Sequence, residues 1–264
     1  MCRTPFRTHA DYIVRLLSGR IMRGGILIVG SLLWDRRRER DEWRQARLRI
    51  DDAVHVRVPI RYGRYSGSRG DTFTMTFADD GKLGQGVLVP CRTSVVDAAA
   101  LLAEATDLWK AEQPSAPTES IGASWGCVGV LFRSQGAPDE RFEAWSHYFR
   151  RKSSPISPVD SVGVLRIPWP VLAADGTAAK LDVILATATK ADAARPLPED
   201  IANAWISQDQ GHELYFFENV RHGIRTPDDL LIWKRIENAK PSWLRNDAYT
   251  EAIAVLQREV ALEA

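Results

Sequence analysis

Short apolar runs broken by glycine and by charged turns mark the first half of the chain, and longer amphipathic stretches mark its end. Residues 26–29 form an all-apolar, largely β-branched run between Gly25 and Gly30, which suits a buried strand. Residues 54–62, 72–77 and 86–89 also read as strands. In the first of these, Val54, Val56 and Val58 alternate with His55 and Arg57, giving one face to a core. Asp79-Asp80-Gly81 marks a turn between two of the strands. Asp35 fits a helix N-cap, and the Arg/Glu mixture at 36–44 predicts a solvated helix or ordered loop.

Residues 94–112 are the best helix of the first half: Ser94 can cap it, Asp97 follows three residues on, and alanine and leucine are abundant. A loop at 114–118, a strand at 127–132 and an amphipathic helix at 139–152 follow. Two prolines and three serines at 153–159 read as a linker. A strand pair at 162–167 and 181–187 flanks Asp175-Gly176, and the remainder is helical: 198–208, 212–222, 226–238 and 243–262. Strands, one central helix, then helices is an α+β order rather than an alternating βαβ one. No internal repeat or low-complexity tract interrupts it.

The 264 residues allow one large domain, or a domain with a helical appendage. The expected division is an N-terminal extension at 1–22, a main domain at 23–190 and a helical extension at 191–264. Met22, directly before Arg-Gly-Gly and an apolar strand, is an alternative start that would make 1–21 dispensable. Charge is balanced, 35 basic against 34 acidic residues, so no field gathers nucleic acid or an anionic membrane. The run DRRRERDEWR interleaves both signs and reads as a solvated helix rather than an RNA patch. Cys2, Cys91 and Cys127 are few and far apart, which points to a reducing cytoplasm rather than a disulfide framework. No apolar run approaches the ~20 residues of a membrane helix, and residues 1–21 lack the apolar stretch of a signal peptide.

The motifs for nucleotide, zinc-protease and serine-hydrolase chemistry are missing: no Gly-x-x-x-x-Gly-Lys-Ser/Thr, no Gly-x-Gly-x-x-Gly after a strand, no His-Glu-x-x-His, no Gly-x-Ser-x-Gly. No metal or cofactor is expected. A glycine-serine turn follows the first strand, at Val29-Gly30-Ser31-Leu32-Leu33. Such a turn can aim backbone N–H groups at a carboxylate or a developing oxyanion. Equally, Gly30-Ser31 can be a plain strand-ending turn.

The segment ILIVGSLLWD resembles the signature loop of the γ-glutamylcyclotransferases, most nearly the glutathione-specific branch, with Gly30, Ser31, Leu32, Leu33 and Trp34 matching. RYGRYSGSRGDTFTMTF is similar in its Arg64, Tyr65, Ser66 and Arg69-Gly70 series, and GVLV at 86–89 leads into a glutamate-bearing helix. The likeness covers about residues 25–135. It implies a mixed β-barrel with flanking helices and a helical C-terminal extension. The implied activity is cyclisation of a γ-glutamyl amide to 5-oxoproline, using one carboxylate as proton shuttle and no cofactor. That chemistry is economical, because the substrate's own α-amine attacks its own γ-carbonyl.

Glu104 falls closest to the shuttle's place, and Val29, Gly30, Ser31, Leu32, Leu33, Trp34, Arg64, Ser66 and Arg69 are the implied substrate-binding residues. Arg64 and Arg69 suit a substrate carboxylate, with a surface ion pair as the plain alternative; Glu104 has its own plain alternative as a solvated helix glutamate. Two residues depart from the family pattern: Val29 replaces a tyrosine, and Ala105 replaces a glycine after the glutamate. The implied partner is a small γ-glutamyl molecule, without nucleic acid or membrane, and self-association through the C-terminal helices is open. Two rivals remain: a non-catalytic small-ligand or protein-binding module, and an amide hydrolase using Cys91 or Cys127.

Overall fold

In a computed structural model, the apolar run after Arg23 becomes a central strand, β1 (Gly24–Ile28), buried along its whole length. The structure describes residues 21–67, 70–133, 140–192, 195–208 and 211–263. A glycine-containing turn leads from β1 to α1 (Arg38–Arg47), then to β2 (Val54–Val58), β3 (Ile60–Ser66), β4 (Thr72–Phe77) and β5 (Gly84–Pro90). Next come α2 (Ala98–Glu112), β6 (Gly122–Ala123), β7 (Gly126–Phe132), α3 (Glu140–Lys152), β8 (Val171–Leu172) and β9 (Val183–Thr189). Four helices follow: α4 (Pro198–Ser207), α5 (Leu214–Arg221), α6 (Asp229–Ala239) and α7 (Thr250–Glu263).

Seven strands form one mixed sheet in the order β6-β7-β9-β1-β5-β2-β8, and β3 and β4 form a separate hairpin. The only parallel pair among these strands is β1 with β9, which register Ile26 opposite Leu185. The α+β class therefore stands, but the expected closed barrel does not. β6 and β8 are open edges, and Pro59 stands between β2 and β3, where it has no N–H for a ladder. The hairpin instead meets the sheet through threonines: Thr76 donates to the Thr189 carbonyl at 2.8 Å, and Thr189 donates to that of Met75 at 3.1 Å.

Several elements differ from expectation in ways that bear on the site. α2 is capped by Asp97, whose side chain accepts from the Ala100 N–H at 2.8 Å, not by Ser94. α1 is not merely solvated: Arg40, Trp43 and Arg44 are buried. Residues 162–167 give isolated bridges at Val164 and Leu165 rather than a strand. The linker-like stretch packs inward through Ile156 and Val159. Met22 bridges Val95 and is buried.

The C-terminal helices share the core of the sheet. Trp205 of α4 meets Tyr62 of β3 edge-on at 5.1 Å, and Phe216, Phe217 and Trp233 extend the same buried cluster. Burying aromatics of this size is the dominant favourable term in holding helices to a sheet. Among the described residues, no helix is long and apolar enough to cross a membrane.

Candidate functional site

A cavity of about 390 Å³ opens where β1 ends. Its floor is Ile28, Val29, Gly30, Ser31 and Leu32; its walls include Arg37 and Arg40 from α1 and its approach, and Arg64 and Ser66 from β3. Thr187 and Thr189 reach it from β9, Tyr215 from α5, and Glu112 and Gln113 from the end of α2. The site thus lies where sheet, hairpin and three helical elements meet.

The turn after β1 is closed by its own backbone. Leu33 N–H donates to the Gly30 carbonyl at 3.2 Å, and Trp34 and Asp35 N–H groups donate to that of Ser31 at 3.3 and 2.9 Å. Contact with a ligand therefore falls to the first part of the turn, and Leu33 and Trp34 do not line the cavity. Trp34 instead braces the turn from behind. Its indole donates to the buried Asn219 at 2.8 Å and its ring meets Tyr215 edge-on at 5.8 Å. Of the residues named from sequence, Val29, Gly30, Ser31, Leu32, Arg64 and Ser66 come together here. Arg69 lies outside the described residues.

Glu104 is not in this cavity, and this corrects the expected convergence. Its carboxylate is buried beside Thr93, which donates to it at 2.8 Å, and Arg47, at 2.7 Å. Burial pushes its pKa above the ordinary carboxylate value, against the opposing pull of Thr93 and Arg47. The carboxylate that lines the cavity is Glu112, eight residues on and ~12 Å further along the same helix.

Arg40 was missed altogether, yet it organises the site. Only 4% exposed, it donates to Ser31 Oγ at 2.7 Å, Glu112 at 2.7 Å, Asp35 at 3.1 Å and the Ala111 carbonyl at 3.3 Å. One guanidinium thus fixes the glycine-serine turn to the end of α2, using the planar fork that suits arginine to such bridging. Asp35 titrates below its ordinary value: burial raises it, but bonds from Arg37 and the Arg40 charge outweigh that. A signal for Arg40 does exist in the sequence. Arg40, Trp43, Arg44 and Arg47 recur at i, i+3, i+4 and i+7, with the tryptophan marking that face as inward.

The remaining wall supplies aromatic and hydroxyl chemistry. The Arg64 guanidinium carbon stands 4.7 Å from the Trp125 ring centre, and Trp125 stacks on Trp109 at 5.0 Å. The Thr187 hydroxyl has no hydrogen-bond partner among the described residues although Thr187 is only 8% exposed. Such a group favours a ligand that supplies its missing partner. The cavity therefore offers guanidinium and hydroxyl donors opposite one carboxylate.

Cys91 and Cys127 stand apart from this chemistry. Both are buried, and burial pushes both thiols up to about 12. A buried thiol held protonated is a poor nucleophile, and neither cysteine lines the cavity, so the cysteine-hydrolase rival draws no support from this site. Among the described residues, no three histidine, cysteine or carboxylate side chains are grouped to hold a metal. Comparison with protein-family models, with curated proteins and with solved structures gave no match.

Proposed function

We propose that this cavity binds a γ-glutamyl amide and closes it to 5-oxoproline, with Glu112 in the proton-shuttling role that the sequence assigned to Glu104. The observation that carries this reading is the placement of Glu112. It is the one carboxylate among the described residues that line the cavity, and Arg40 ties it to the glycine-serine turn. In the reaction, the substrate's α-amine nitrogen bonds to its γ-carbonyl carbon and the amide C–N bond breaks. Glu112 takes a proton from the attacking amine and returns it to the departing nitrogen. The first amides of the turn and the Thr187 hydroxyl suit the carbonyl oxygen, where negative charge develops. Arg64, held over Trp125, suits the substrate's α-carboxylate.

The test is incubation with a panel of γ-glutamyl amides scored for 5-oxoproline, for the wild type and for Glu112→Gln. Turnover by the wild type that falls at least ~100-fold in the variant, the usual scale for losing a general acid-base group, supports the reading. Absence of product across the panel, or full activity in the variant, rejects it.

A binding module without turnover is favoured by a different observation. Glu112 is held in an ion pair with Arg40 at 2.7 Å, so its carboxylate is already engaged by the protein, as a fixed wall of a binding pocket would be. On that reading γ-glutamyl compounds bind saturably and no 5-oxoproline appears.

A further inference from the structure

A second cavity, of about 410 Å³, is lined by a different set of residues. Its lining draws on the same strands and turns as the first. Arg64, Thr189, Trp125 and Met75 line the first cavity, and Arg61, Lys190, Ser124 and Phe77 line the second. The far side of the second cavity is the 154–158 segment, including Ser154 and Ser157.

Arg61 is the unusual member. It is 8% exposed, and its Nη1 is buried with no hydrogen-bond partner. No ion pair or side-chain hydrogen bond ties its guanidinium to any of the described residues. Every other deeply buried arginine of the described chain is spoken for: Arg40 by Glu112 and Asp35, Arg44 by Asp41 and two carbonyls, Arg141 by the Val95 carbonyl. Among the described residues, Nη1 is thus the one guanidinium nitrogen closed off from solvent without a partner, and a donor so placed favours an acceptor brought to the same group. The backbone makes room for it. A Cβ on residue 63 would stand 2.5 Å from Arg61 Nη1, and the hairpin shifts register at this point, between Tyr62 and Arg64. Glycine at 63 is therefore what allows the side chain to lie where it does.

The surroundings suit an anion. Lys190 brings a second positive charge to the cavity, and Ser124, Ser154 and Ser157 bring hydroxyls. Asp79 is the single carboxylate of the lining, is exposed, and makes no ion pair within 4.0 Å with Arg61 or Lys190, so it leaves the cavity with a net positive charge. We propose that this second cavity is a binding site for an oxyanion group, phosphate or carboxylate, whose oxygens bond the Arg61 guanidinium and pair with Lys190. Arginine's fork matches either group in two-point contact. This site goes beyond the cyclisation reading and does not depend on it.

The test is titration of the full chain with inorganic phosphate and, separately, with acetate, at ionic strength held constant with chloride, following the heat-unfolding midpoint. A ligand that binds only the folded state raises that midpoint with saturation. The expected result is a saturable rise with at least one of the two, absent in Arg61→Met and needing about tenfold more anion in Lys190→Ala, as the loss of one charge-assisted contact implies. A rise with phosphate alone assigns a phosphoryl ligand, and a rise with acetate alone assigns a carboxylate. No saturable rise with either overturns the proposal, as does a rise undiminished in Arg61→Met. Should Arg61→Met fail to fold, the exposed Lys190→Ala decides, because an unshifted titration there overturns the site as drawn.

Discussion

Gly30 and Tyr215 are packed so closely that a Cβ on residue 30 would stand 2.7 Å from the tyrosine hydroxyl and 3.8 Å from the ring carbon that bears it. That hydroxyl also accepts the Met75 N–H, at 3.1 Å, and so pins β4 to α5 across the cavity. The glycine of the turn is thus dictated by a residue 185 positions later in the chain.

Gly30→Ala is expected to destabilise the fold by ~1–3 kcal/mol, the usual cost of overpacking. Because the clash is with the hydroxyl rather than the ring, Tyr215→Phe in the same chain should recover part of that loss. Denaturant unfolding of both single variants and the double variant checks this. A strictly additive double variant would show that the contact is not as described.

Glu112→Gln and Glu104→Gln should separate function from fold. The first is expected to abolish 5-oxoproline formation, or ligand binding, with a change in stability of ~1 kcal/mol. The second is expected to leave turnover within a few-fold, since Arg47 keeps Asp107 at 3.3 Å when Glu104 is gone. Steady-state kinetics beside unfolding curves will show whether the two glutamates sort in this way.

The acid limb of stability should carry two opposite contributions. Asp35 has a lowered folded pKa, so its stabilising effect is complete above the unfolded value of 3.8 and disappears as pH falls through the folded value. Asp35→Asn should therefore lose stability near neutrality and approach the wild type in strong acid. Glu104 has a raised folded pKa, so its contribution is complete below 4.5 and is lost as pH rises through the folded value. Relative to Glu104→Gln, the wild type should then gain as pH falls from 7 toward 4.5. Unfolding midpoints across pH 2–7 test both signs.

Cys91 and Cys127 are expected to resist iodoacetamide at pH 7 in the folded chain and to label once it is unfolded, because burial keeps both thiols protonated. Mass spectrometry of digested, labelled protein reads this site by site. Rapid labelling of either residue in the native state would contradict its placement.

Local pattern made much of the framework legible. The β-branched run before Gly30 is β1, the alanine-leucine stretch after Asp97 is α2, and the apolar runs near 127 and 184 are β7 and β9. Sheet order was not legible, because β9 inserts between β7 and β1, and its pairing with β1 joins residues more than 150 positions apart, which no local periodicity encodes. The turn after β1 was singled out in the sequence, and Val29, Gly30, Ser31 and Leu32 line a cavity. That Glu112 rather than Glu104 lines the cavity was not legible, because a local pattern marks a helix more readily than the turn of it that meets a pocket. Arg40 was hidden by its neighbours: in a run of alternating charges, only the flanking tryptophan tells which arginine turns inward.

α1 and α2 run antiparallel and are fastened at two points, Arg40 to Glu112 at the end of α2 and Arg47 to Glu104 at its middle, each at 2.7 Å. A fastening at one end alone would let α2 pivot, and its last residue would swing. Two clasps separated by about two helical turns suppress that rocking, so the aim of Glu112 into the cavity is set partly by a buried contact that never touches the cavity. Only a change that frees Arg47 from both Glu104 and Asp107 should therefore blur the near clasp, since either carboxylate alone still holds the far end of α1.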